Sequence, residues 1–110
     1  MDINKNMRIS LLLEIYGNLL TTKQKQILTD FYDNNMSLGE IAENTSTSRQ
    51  AVNDIIKRSQ KILENYESKL MLLEKFNKIK SDITSIKKIV VNNGNKTSIN
   101  TKLDKILEEI

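Results

Sequence analysis

Between Ser48 and Asn93 the chain contains neither glycine nor proline. Those are the two residues that most readily end a helix. Over the same stretch Val52, Ile55, Ile56, Ile62, Leu63, Tyr66, Leu70, Leu73, Phe76, Ile79, Ile83, Ile86 and Val90 keep helical spacing, which marks an amphipathic helix. Read as unbroken, it is a helix of about 42 residues, roughly 60 Å long at 1.5 Å per residue. One small core cannot cover that length. Beyond Leu63 the steps of three and four resemble a coiled-coil seam. The phase slips by one residue between Leu73 and Phe76, which permits a bend there.

The segments before this run are shorter helices. Lys5 to Leu20 carries Ile9, Leu12, Tyr16 and Leu19 in one stripe, widened by Leu13, Ile15 and Leu20. Thr21 and Gln24 have the spacing of a capping box. The helix they open bears Ile27, Leu28, Phe31 and Tyr32, and Asn34-Asn35 supplies a stop, because Asn tolerates left-handed backbone. Ser37 and Glu40 form a second capping box, opening a short helix from Leu38 to Glu43. Asn44 to Thr47 reads as a tight turn, and Ser48 as the next N-cap. After the long run, residues 92–96 (NNGNK) form a linker. Ser98 to Ile110 reads as a last amphipathic helix with Ile99, Leu103, Ile106, Leu107 and Ile110 aligned.

Composition narrows the chemistry. The 110 residues include no cysteine and no histidine, so the commonest metal ligands and the commonest general base are missing. No cofactor or metal is expected, and no enzyme. No apolar run is long enough for a membrane-spanning helix or a secretory signal, so a cytoplasmic chain without membrane insertion is expected. The formal charge of +3 permits a nucleic-acid partner without requiring one.

Two helices joined by a turn of about four residues suggest a helix-turn-helix. Leu38, Ile41, Val52 and Ile55 point inward, and Ala42 is small enough for a crossing. Arg49, Gln50, Asn53 and Lys57 fall opposite Val52 and Ile56. Arg can bond guanine bidentately, and Gln or Asn can bond adenine, so these four are the expected base-reading residues. Ser48, Arg58 and Lys61 are expected to meet phosphates. The same spacing also describes a packed helix pair with a solvated face.

The stretch SLGEIAENTSTSRQAVNDIIKR (Ser37 to Arg58) resembles the helix-turn-helix of bacterial sigma factors that reads the −35 promoter element. The wider stretch from Leu19 to Leu70, with SLGEIAE, SRQAV, IKR and YESKL, is more similar still to the YlxM family. That resemblance implies an all-α, sigma-factor region 4-like fold with a long helix and a C-terminal helix. It also implies a regulatory part in the signal recognition particle (SRP) protein-targeting pathway, beside whose genes the family's genes lie. Helix-turn-helix turns generally carry a glycine between two aliphatics. Here Thr45, Ser46 and Thr47 stand instead, which raises the cost of a left-handed turn residue.

The expected organisation is a helix-turn-helix domain over residues 1–65 and an extension over 66–110. Leu70, Leu73, Phe76, Ile83 and Ile86 would form a homodimer seam, since an apolar surface of that extent calls for a partner. DNA is the expected ligand of the first domain. The alternative is a protein-interaction accessory of the SRP GTPase, its receptor or its RNA. Lys75, Lys78, Lys80, Lys87 and Lys88 give the extension a basic flank, read either as ordinary solvation or as a phosphate surface.

Overall fold

The computed structural model describes residues 3–110. Six α-helices and no strand occur among the described residues: α1 (Ile3–Tyr16), α2 (Thr22–Leu28), α3 (Leu38–Thr45), α4 (Arg49–Leu70), α5 (Leu72–Val91) and α6 (Lys96–Glu109). The chain is all-α, as its spacing implies. Contacts group it into two compact units, one ending at Leu73 and the other spanning Glu74–Ile110. Tyr66, Glu67 and Leu73 therefore fold with the helix-turn-helix unit.

The helix starts follow local chemistry. Thr21 and Ser37 each accept a hydrogen bond from the backbone N–H three residues on, and Gln24 and Glu40 reach back to the cap's own N–H. Ser48 accepts from the Ala51 N–H at 3.1 Å, and Asn95 from Thr97 at 2.7 Å. The last of these starts α6 at Lys96, two residues before the expected Ser98. The first helix ends at Tyr16 and tightens into a 3-10 turn, Gly17–Leu19. The second widens into a π-helical turn, Thr29–Asp33, and stops at Asn35, whose φ is 54°.

The core of the first unit is apolar and continuous. Ile9, Leu12, Leu13 and Tyr16 of α1 meet Ile27 and Leu28 of α2, Ile41 and Ala42 of α3, and Val52, Ile56 and Leu63 of α4. At the rim Arg8 makes a two-pronged ion pair with Glu64, both prongs 2.7 Å. This holds the start of α1 to α4.

The long helix is where the structure corrects the sequence reading. It is two helices, separated at Met71, whose φ of 55° is left-handed. Nothing local demands this: Met and Leu are good helix formers, and a left-handed backbone costs a non-glycine residue about 1–2 kcal/mol. The cause is tertiary. Glu67 is buried on the core face of α4 and accepts from the Tyr16 hydroxyl at 2.7 Å. The same oxygen accepts from the Leu73 backbone N–H at 3.0 Å. The Tyr16 hydroxyl in turn accepts from the Leu72 N–H at 3.2 Å. The first two N–H groups of α5, which no helix can satisfy internally, thus find acceptors on α1 and α4. The phase slip pointed close by, but the break falls at Met71.

Burial, with the Glu67 hydrogen bond adding to it, pushes the Tyr16 phenol above its ordinary range. Around it Tyr66 stacks at a ring distance of 5.9 Å. Leu73 is 6% exposed and belongs to the same core, so its side chain is used within the chain.

Two expectations follow. Tyr16→Phe and Glu67→Gln should each destabilise the fold by about 1–3 kcal/mol, because each leaves buried polar groups without partners. A double-mutant cycle by urea unfolding should show coupling between them. Met71→Gly should be neutral or stabilising, since Gly suits left-handed backbone; in a continuous helix it would cost about 1 kcal/mol.

The acid limb gives a third. Arg8 holds the Glu64 carboxyl below its ordinary value, chiefly through their hydrogen bond. A carboxylate with a depressed folded-state value stabilises above its unfolded value and loses that contribution as pH falls through the folded one. Stability of the wild type should therefore drop between neutral and acid pH more than that of Glu64→Gln. The difference should stay under about 1 kcal/mol, because both partners are well exposed, and it should shrink with salt.

Candidate nucleic-acid interface

Helices α3 and α4 form the helix pair. Helix α3 runs two residues further than expected, to Thr45, and ends on Ser46 with φ 54° and ψ 39°. The Thr47 N–H reaches the Ala42 carbonyl at 3.0 Å, the long hydrogen bond of a Schellman ending. Serine here takes the place where glycine is usual. The flanking threonines are used as polar groups: the Thr45 hydroxyl donates to the Ile41 carbonyl at 2.7 Å and lies 3.0 Å from the Thr47 hydroxyl. The turn is closed by hydrogen bonds in place of an aliphatic plug. Beneath it Ile41, Ala42 and Val52 are buried, and Leu38 and Ile55 half-buried.

This packing fixes which side of α4 faces solvent. Val52, Ile56, Ser59 and Leu63 are buried. Arg49, Gln50 and Lys57 are exposed, and Asn53 between them is half-buried. At about 100° per residue these four share one stripe of α4. Arg58 and Lys61 are exposed on its border, as is Ser48 at the N-cap. Ser48 already accepts the Ala51 N–H, leaving its O–H as the group available to an outside acceptor.

Two further features bear on this site. The Arg49 guanidinium lies back over α3: a Cβ built on Gly39 would stand 2.8 Å from its Nη2 and 3.1 Å from its Cζ. Gly39, in the first turn of α3, is what leaves room for it. A glycine in the first turn of a capped helix, ten residues before an arginine, was the available signal. The second is charge. Residues 1–73 carry nine basic and nine acidic side chains, while residues 74–110 carry eight basic and five acidic. The whole excess of positive charge thus belongs to the second unit, chiefly to α5.

Of the proposed seam residues, Leu70, Phe76 and Ile83 are exposed, Ile86 is half-buried and Leu73 is buried in the core of the first unit. Leu70 ends α4, whereas Phe76, Ile83 and Ile86 lie on α5. Because of the break at Met71 they do not form a single straight stripe. Among the described residues no helix is long and apolar enough to cross a membrane.

A buried α3–α4 crossing, a Schellman turn and a polar outer stripe define a helix-turn-helix protein. The chain belongs to the UPF0122 family, described as "Putative helix-turn-helix protein, YlxM / p13 like", whose profile matches residues 3–106. It is 41% identical to the UPF0122 protein YlxM of Bacillus subtilis over 110 residues, 100% of this chain and 99% of that protein. It is 38% identical over 104 residues to a UPF0122 protein of Shouchella clausii, covering 94% and 95% of the two chains. With a UPF0122 protein of Clostridium kluyveri it shares 56% identity over 72 residues, a match that spans 66% of this chain and 65% of that relative. The family is described by its helix pair and not as an enzyme family.

The Gly39–Arg49 contact makes a testable point. Gly39→Ala should be tolerated and should stabilise the helix by about 0.5–1 kcal/mol, because the atom in its way is the tip of a flexible side chain. Thermal unfolding of the variant checks this. A loss of stability would mean that Arg49 over Gly39 contributes to the fold.

Proposed function

We propose that this chain is a DNA-binding regulatory protein that acts in the cytoplasm and reads duplex DNA with the first half of α4. The observation that carries the reading is the division of that helix. Val52 and Ile56 are buried against α3 and the core, while Arg49, Gln50 and Lys57 are exposed together on the outer stripe. A helix so presented fits the major groove with its N-terminal residues at the base edges. Arg49 would swing off Gly39 to pair with guanine, and Gln50 would pair with adenine. Asn53 and Lys57 would continue the contact along the groove. Ser48, Arg58 and Lys61 would meet phosphates and set the register.

The test is affinity for preferred and scrambled duplexes over a salt series. Binding should weaken steeply as salt rises. Arg49→Ala should remove discrimination at one base pair, a cost of about 1–3 kcal/mol there, while Lys61→Ala should weaken all duplexes alike. If Arg49→Ala leaves affinity and preference unchanged in a folded protein, the polar stripe is only solvated surface.

The distribution of charge favours a second reading. The helix-turn-helix unit is formally neutral, whereas α5 displays Lys75, Lys80, Lys87 and Lys88. In this reading the helix pair is a scaffold, and the chain is an accessory of the SRP GTPase, its receptor or its RNA. Capture from a cell extract with and without nuclease separates the two. SRP components retained after nuclease treatment favour a protein contact, and components lost with it favour the RNA.

A further inference from the structure

The line of α4 farthest from the core carries one carboxylate among its cations. Val52, Ile56, Ser59 and Leu63 form the buried line of the helix. At about 100° per residue, Asp54 and Lys61 fall within about 10° of the line directly opposite. Gln50 lies about 30° from that line, Lys57 and Arg58 about 50°, and Asn53 about 90°. Asp54 is exposed. It stands one turn after Gln50 and one turn before Lys57 and Arg58. Among the described residues, neither a hydrogen bond nor an ion pair occupies its carboxylate.

A carboxylate at this place is unfavourable on a surface that meets DNA by charge alone. The phosphates that attract Lys57, Arg58 and Lys61 repel it. An ionised carboxylate can only accept hydrogen bonds. In the major groove guanine offers N7 and O6, and thymine offers O4, all of them acceptors. Adenine offers an amine beside its N7 acceptor. Cytosine offers its N4 amine with no acceptor of its own beside it, and Asp can accept from that amine.

We propose that Asp54 is a specificity-determining residue, and that the duplex this chain reads holds a C·G pair with its cytosine against Asp54. This role rests on the reading of α4 proposed above and narrows it to a class of site. Gln50 and Asp54 are about 6 Å apart along the helix axis, less than two base-pair rises of about 3.4 Å. The cytosine therefore lies one or two base pairs from the pair that Gln50 meets. Asp54 acts as much by exclusion as by attraction. Guanine or thymine at that place sets an acceptor against the carboxylate, and such a penalty on the wrong partner is a source of selectivity. General affinity is lowered in exchange.

Selection from a random duplex pool, run in parallel on the wild type, Asp54→Ala and Asp54→Asn, tests this role. Both changes are at an exposed position, so both variants should keep the helical circular dichroism and the thermal unfolding of the wild type. The wild-type motif should hold one fixed C·G pair that Asp54→Ala randomises, with the rest of the motif unchanged. Asp54→Asn should turn the preference at that pair towards A·T, since Asn can bond adenine with both its groups. On single duplexes, replacing the C·G pair should cost the wild type about tenfold in affinity and Asp54→Ala little. Asp54→Ala should also bind scrambled duplexes several-fold more tightly than the wild type, which loss of a merely structural contact would not produce. A wild-type motif that Asp54→Ala leaves intact would overturn the role of Asp54 and leave the reading of α4 standing. So would a motif in which the pair that changes is not C·G. A wild type that enriches no motif would overturn both.

Discussion

The hydrogen bond between the Tyr16 hydroxyl and the buried Glu67 carboxylate ties together the parts of the first unit that sequence separates most. A carboxylate in an apolar core is costly unless its lone pairs are occupied. Here one oxygen takes both the Tyr16 hydroxyl and the Leu73 N–H. That requirement ends α4 at Met71 and starts α5, so a helix that local propensity would continue is divided. It also fixes the far end of α4 against α1, as the Arg8–Glu64 pair does one turn earlier on the outside. With α4 clamped at that end and capped by Ser48 at the other, the orientation of its first turns is set by packing. The exposure of Arg49 and Gln50 is then a consequence of the core.

The turn before α4 solves its geometric problem in an unusual residue set. Left-handed backbone at Ser46 is less costly in glycine, and an aliphatic on either side would extend the core beneath it. Thr45 and Thr47 instead hydrogen-bond locally, which satisfies the helix end without adding apolar burial. Such a turn holds the angle between α3 and α4 through polar contacts that water can compete for. Gly39 contributes at the other end of α3, where the absence of a side chain lets the Arg49 guanidinium rest on the helix. The guanidinium of the residue proposed to contact a base thus lies against the Gly39 backbone.

Much of the fold was legible because it depends on local signals. Thr21–Gln24 and Ser37–Glu40 are capping boxes in the sequence and in the structure. Asn35 stops a helix as its backbone tolerance suggests. The buried stripes of α1, α2 and α4 follow from helical spacing. What stayed hidden depends on partners distant in sequence. Met71 gives no sign of a left-handed backbone, since the acceptors that cause it are on Tyr16 and Glu67. The clue was Glu67 itself, a charge four residues after Leu63 on the apolar face. Ser46 and Met71 are left-handed where neither residue type announces it. In the candidate site, the exposed stripe of Arg49, Gln50 and Lys57 followed from the positions of Val52 and Ile56. The Arg49–Gly39 contact needed the crossing of two helices.

The proposed role of the packing of α4 against α3 is to present a sequence-reading surface. Its most direct test is selection of duplexes from a random-sequence pool by the purified full-length chain, followed by sequencing over successive rounds. A defined motif should be enriched, and the enrichment should be lost when Arg49 and Gln50 are both changed to Ala. A pool that stays random, with a protein shown to be folded and helical, would contradict it.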